Sequence, residues 1–259
     1  MNIVVIVETF LAFAIAVTIH EAAHAGMAGI LGDASPAADG RLSLVPRRQM
    51  AAVGTIAGIV TSFHGLGALG WGRPVDADAR RLRGGANFGT ILVAIAGPLI
   101  NLGVGLGIAF GIRAIPSFNA LSARAETCAP ATSSAAAFPF GVGMQECLSV
   151  AQSPYLIRAE QFLIALAVAN IILALVNCIP LHPLDGYKVL YAILPTEQAL
   201  RFRDFEPYME VILLIIFFAV PYVAALFGAS FSPAGLLIVK ANDIVGSIIG
   251  PVIRAYPFL

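Results

Sequence analysis

IVVIVETFLAFAIAVTIHEAAHAGMAGI, residues 3–30, decides the fold. Residues 3–19 are apolar except for Glu8, and the apolar pattern continues to Ile30 around a short polar cluster. A membrane span needs roughly 20 mostly apolar residues. No Lys or Arg precedes the run and no small-residue cleavage site interrupts it, so the segment reads as a retained span and not a signal peptide. The polar cluster is His20-Glu21-Ala22-Ala23-His24. On a helix, His20 and His24 stand one turn apart on the same face, where one Zn²⁺ can bind both imidazoles. Glu21 falls on the adjacent face, beside a metal and not on it, which is the place for a base. Ala12, Ala16, His20, His24 and Ala28 share one row. Small residues there let another helix approach closely, so the histidines are expected to face the bundle.

The rest of the chain agrees with a bilayer. Hydrophobic residues make up 59% and charged residues 12%, against about 45–50% and about 25% in soluble domains. Mean hydropathy is +0.88. These values exclude a disordered chain, a nucleic-acid binder and an ordinary cytosolic enzyme. Lys+Arg and Asp+Glu are 15 each, so no net field steers a charged partner. Further apolar stretches lie at 51–70, 87–112, 160–180 and 209–228, with a weaker one at 234–253 interrupted by Lys240 and Asp243. The expected fold is an all-α polytopic membrane protein with about six hydrophobic segments and a short β-like or re-entrant region after the first span. It reads as a single membrane-embedded domain, with a core over 1–195 and C-terminal helices over 196–259.

Basic residues orient it. Arg41, Arg47 and Arg48 follow span one; Arg73, Arg80, Arg81 and Arg83 follow segment two; Lys188, Arg201 and Arg203 follow span four; Arg254 follows the last. Cytoplasmic loops carry the Lys/Arg excess, which places these stretches inside and the N-terminus outside. Segment 51–70 is flanked by basic residues at both ends, so it is either a re-entrant hairpin or a span that breaks the rule. The loop 113–158 then falls outside, where Cys128 and Cys147 form a disulfide or remain two free thiols. Cys178 reads as a small packing residue of span four. Gly103, Gly107 and Gly111, at four-residue spacing, read as a helix-contact stripe. Stretch 195–209 mixes apolar residues among charges and reads as a surface-lying amphipathic segment.

Two histidines leave a catalytic zinc site one protein ligand short. Span four ends in Asn177-Cys-Ile-Pro-Leu-His-Pro-Leu-Asp-Gly186. Pro180 and Pro183 cannot continue a helix, and they open the chain where Asp185 could turn inward. Spans one and four both run outside to inside and reach their polar clusters after similar distances, so the two clusters share a depth. The bland alternative is a helix-ending Asp-Gly turn. Charged residues at membrane depth are costly and usually functional, which favours the ligand.

HEAAH in a span, GPLIN at 97–101 and NCIPLHPLDG at 177–186 together resemble the site-2 protease family of intramembrane zinc metalloproteases. GRLSLVP (40–46) and LGWGRPV (69–75) are similar to its small bacterial type, without PDZ or CBS domains. The similarity covers residues from about 10 to 195 and departs at Ala22, Ala23 and His182. The resemblance implies Zn²⁺ as cofactor, His20, His24 and Asp185 as metal ligands, and Glu21 as catalytic acid/base. It suggests that Asn101 and Asn177 line the substrate cleft, while Asn101 could equally only tie two helices together. His182 reads as a wet loop residue and His64 as a packed, hydrogen-bonded one, against supporting roles at the site. The implied substrates are transmembrane proteins or signal peptides in a bacterial inner membrane, cut near the cytoplasmic side, with no nucleic acid involved. A homo-oligomer or a regulatory membrane partner is a further expectation. Because a transmembrane helix seals its carbonyls in hydrogen bonds, a substrate must unwind locally. The rivals are an intramembrane metal-ion transporter, which should offer ligands at several depths, and a non-proteolytic relative.

Overall fold

The structure is a computed structural model that describes residues 3–63, 69–115, 154–227 and 231–249. His64, Cys128 and Cys147 lie outside the described residues. Helix α1 (Ile3–Leu31) carries the opening stretch, which holds no Pro to break it. Its 29 residues span roughly 43 Å, more than the roughly 30 Å hydrocarbon core of a bilayer. It stops at Gly32, whose φ of 110° only glycine adopts without strain. There the Asp33 N–H donates to the Ala28 carbonyl at 2.9 Å, closing the helix end. Ala12, Ala16, His20, His24 and Ala28 are all buried, so the row of small residues and histidines faces the bundle.

Next in order come α2 (Ala52–Phe63), α3 (Ala86–Ala114), α4 (Pro154–Val176), α5 (Asp185–Ile193) and α6 (Thr196–Asp204). Helix α7 (Glu206–Leu214) runs through a π turn (Ile215–Ala219) into α8 (Val220–Leu226), and α9 (Pro233–Ile249) closes the order. Single helical turns at Ser35–Ala38 and Pro46–Gln49 lie between α1 and α2. Among the described residues, four stretches are long and apolar enough to cross a membrane: Ile6–Leu31, Ala86–Ala114, Ala159–Val176 and Glu206–Ala224.

The other two expected segments differ. Among the described residues of segment 51–70, the helix is the 12-residue α2, about 18 Å long. The two ends of the segment lie side by side: Met50 forms an antiparallel bridge with Gly72, and the Arg73 N–H donates to the Gln49 carbonyl at 2.6 Å. That bridge is the only β-like feature among the described residues, which contain no strand. The last segment is the 17-residue α9. Its row Ala234, Ile238, Ala241, Val245 and Ile249 is buried in the main core beside Ile112, Ile164 and Ile171.

Helices α1, α3 and α4 pack on one another and position everything else. The contact row of α3 is not the expected one. Gly103, Gly107 and Gly111 meet nothing within 4 Å. The buried row is Gly97, Asn101, Gly105, Ala109 and Ile112. A Cβ on Gly105 would lie 2.9 Å from the Ala167 carbonyl of α4, so this glycine sets how closely α3 and α4 approach. Both rows have helical spacing, and only the neighbours chose between them.

Candidate metal centre

Helix α4 ends at Val176. The chain then descends through turns, with the Cys178 N–H donating to the Leu175 carbonyl and the Ile179 N–H to the Val176 carbonyl. Pro180 and Pro183, which have no N–H to offer, sit in this irregular stretch as their chemistry requires. A new helix opens at Asp185, whose carboxylate lies in its first turn, the end at which a helix favours negative charge. The Gly186 N–H donates back to the Asn177 carbonyl at 2.7 Å. Cys178 lies beyond the helix end and is exposed, not packed inside a span as expected, because the helix stops two residues before it.

This turn brings Asp185 to α1. Its Oδ2 lies 2.9 Å from His20 Nε2 and 3.0 Å from His24 Nε2, and the two Nε2 atoms are 3.1 Å apart. All three side chains are buried, and they form a group of convergent metal-ligating atoms. His24 Nδ1 donates to the Val93 carbonyl of α3 at 2.7 Å. A carbonyl only accepts, so Nδ1 carries the proton and Nε2 presents its lone pair inward.

The donor set can be tested for a metal from these atoms. The His24 Nε2 lone pair and the Asp185 carboxylate would repel at 3.0 Å unless a metal cation or a further proton lies between them. A single proton on His20 Nε2 cannot serve both. Ligands about 2.0–2.1 Å from a tetrahedral zinc lie about 3.3 Å from each other, close to the observed separations. Two imidazoles and one carboxylate also suit zinc chemically. The residues therefore fit Zn²⁺.

Glu21 follows His20 on α1 and is buried. Two features around it were not legible in the sequence. Arg41, read there only as an orienting charge, turns inward with its Nη2 3.5 Å from Glu21 Oε2. Its guanidinium also donates to the backbone carbonyls of Arg48 and Arg73. Burial pushes Arg41 below its ordinary pKa, while the neighbouring Glu21 opposes the shift. Gly72 crosses directly over Glu21: a Cβ there would lie 2.7 Å from Glu21 Cγ and Cδ. Gly97, the first residue of GPLIN, plays the same part for the histidines, since its Cβ would lie 2.6 Å from His20 Cε1. The signal available was glycine inside otherwise apolar runs.

The two asparagines are buried in different places. Asn177 Oδ1 accepts from the Asp185 N–H at 3.3 Å, and its Nδ2 donates to the Leu173 carbonyl at 2.9 Å. It thus braces the turn that carries Asp185. Asn101 Nδ2 donates to the Ala16 carbonyl at 3.4 Å, tying α3 to α1, and its Oδ1 is buried without a partner. His182 is partly exposed, 3.5 Å from Glu206 Oε1, and is not part of the convergent group.

The model of peptidase family M50 matches residues 60–220. That stretch contains Asn101, Asn177 and Asp185 and begins after the HEAAH cluster. Over 200 residues the chain is 29% identical to the "Putative zinc metalloprotease YwhC" of Bacillus subtilis (strain 168), covering 77% of this chain and 75% of that protein. No solved structure matches significantly. With a match over more than half its length, the chain belongs to peptidase family M50, the site-2 protease family.

Proposed function

We propose that the protein is a zinc endopeptidase that hydrolyses peptide bonds within or near transmembrane segments of membrane-protein or signal-peptide substrates. The observation that supports this most is the convergence of His20, His24 and Asp185 between apolar helices, with Glu21 the next residue on the same helix. In this reading His20, His24 and Asp185 hold the metal. When bound, zinc supplies Lewis acidity toward the scissile carbonyl. Glu21 takes the proton of the attacking water as the new C–O bond forms, and returns it to the leaving nitrogen as the C–N bond breaks. Arg41 holds the Glu21 carboxylate in place, and Val93 fixes the His24 tautomer. Asn177 fixes the backbone of Asp185. The buried setting strengthens each of these interactions.

The chain is read as multi-pass in a bacterial inner membrane, with its N-terminus outside and the centre near the cytoplasmic side. The paired ends of 50–72 support a re-entrant α2, because both ends then lie at one level. Such irregular backbone is tolerated at membrane depth where protein surrounds it.

The test uses purified protein in liposomes with a co-reconstituted transmembrane substrate. Wild-type protein should carry one zinc per chain and cleave. Glu21→Ala should keep zinc and lose about 10²-fold or more of the rate. His24→Ala and Asp185→Asn should lose both. Undiminished cleavage by Glu21→Ala, or zinc flux without cleavage, would overturn the proposal.

A further inference from the structure

Beside the metal ligands runs a groove of about 340 Å³ between α3 and α5. Its α3 wall is Ala94, Ile95 and Pro98, and its α5 wall is Val189, Leu190 and Ile193. The end of the groove reaches Asn177 and Asp185. The α5 residues fall at helical spacing on one face, so the wall is a continuous aliphatic stripe. The groove is therefore apolar along its sides and continuous with the reacting centre at one end.

We infer that this groove holds the substrate residue next to the scissile bond and takes a branched aliphatic or aromatic side chain. The inference rests on the peptidase reading for its link to a scissile bond. Continuity with Asp185 argues for a peptide over a lipid chain, and the volume is enough for one large side chain. Selection then acts on a single bulky apolar residue, which any helix unwound at this point would have to present.

Cys178 is exposed and lines the groove, which allows a test that does not depend on catalysis. In a chain carrying Cys128→Ser and Cys147→Ser, the rate of Cys178 alkylation by N-ethylmaleimide is followed. The probes are synthetic peptides of one polar host sequence with a central Gly, Ala, Leu or Phe. Leu and Phe peptides should slow alkylation, and the Gly peptide should not. Ile95→Phe narrows the groove from its α3 wall and should shift protection toward Ala. Should that variant fold poorly, Leu190→Ala opens the other wall and should shift protection toward Phe.

In parallel, the cut sites of wild-type protein and Ile95→Phe in unfolded casein are mapped by mass spectrometry. A shift from large to small residues at one position beside the cut supports the inference. Equal protection by Gly and Leu peptides, or identical cut sites in both proteins, overturns it and leaves the peptidase reading standing. Selective protection without cleavage by the wild-type protein overturns the peptidase reading instead.

Discussion

Gly97→Ala should disable the proposed metal centre without replacing any of its proposed ligands. The added Cβ would lie 2.6 Å from both His20 Cε1 and His24 Cε1, and closer still to His24 Nε2. Carbon atoms in ordinary contact lie about 3.5–4.0 Å apart, so α3 and α1 must part by roughly 1 Å. A preorganised site tolerates only about 0.5 Å. The same displacement pulls the Val93 carbonyl from His24 Nδ1, whose 2.7 Å hydrogen bond fixes the inward lone pair. Losing such a supporting contact typically costs about 10–100-fold in metal affinity, and overpacking costs about 1–3 kcal/mol of stability. Gly103→Ala on the same helix is the control. Nothing lies within 4 Å of its Cβ position, so it should stabilise by up to about 1 kcal/mol through helix propensity and leave zinc binding alone. The assay is competitive zinc titration of detergent-solubilised protein against a chromogenic chelator, with a thermal melt of each variant. Wild-type zinc affinity in Gly97→Ala would refute the reasoning, because it would mean that the close approach of α3 does not govern the ligands.

Three other outcomes follow from the same contacts. Gly72→Ala pushes a methyl group into Glu21 and not into the ligands, so zinc content should stay near wild type while turnover falls at least about tenfold. Equal loss of zinc would contradict this separation. Arg41→Ala removes the partner of Glu21 and the tie between the Arg48 and Arg73 carbonyls. It should lower kcat more than it raises KM, with Arg41→Lys recovering only part because a point charge cannot bridge three acceptors; full activity in Arg41→Lys would discount the fork geometry. Asp33 is buried; its carboxyl is held below the ordinary value by the Ser35 hydroxyl, against the opposing effect of burial, with help from the Asp78 N–H. A carboxyl depressed in the folded state stabilises above its unfolded pKa and loses that contribution as pH falls through its folded value. Acid titration of the thermal melt should therefore be shallower for Asp33→Asn than for wild type below about pH 4; parallel curves would rule Asp33 out as a source of acid sensitivity.

Much of the centre was legible because the residues that carry it violate their surroundings. Two histidines and a glutamate in an apolar run have no cheap alternative at membrane depth, and helical spacing fixes which of them share a face. The small row of α1 likewise predicted the buried side. Pro180 and Pro183 showed in sequence that the span must break before Asp185, since proline cannot donate to a helix, but α4 already ends at Val176, so Cys178 was misplaced inside it. Arg41 was not legible: a basic residue after a span reads as a topology signal, and only packing brings Glu21 and the carbonyls of Arg48 and Arg73 to its fork. The glycine row of α3 misled for a related reason. Gly103, Gly107 and Gly111 have the spacing of a contact stripe, yet the buried row runs through Gly97, Asn101 and Gly105.

The sequence by itself determined that this chain is helical, membrane-embedded and built around one His-Glu-His cluster with a distant acidic partner. Hydropathy and local spacing are properties of neighbouring residues, and they need no partner to be read. Tertiary structure decided that Asp185 reaches both histidines at 2.9 and 3.0 Å. It also decided that Val93 sets a tautomer, that Gly72 and Gly97 make room for Glu21 and the two histidines, and that Met50 pairs with Gly72 beside the short α2. Each of these depends on the separation of groups far apart in the chain, and that separation is fixed only when α1, α3 and α4 pack.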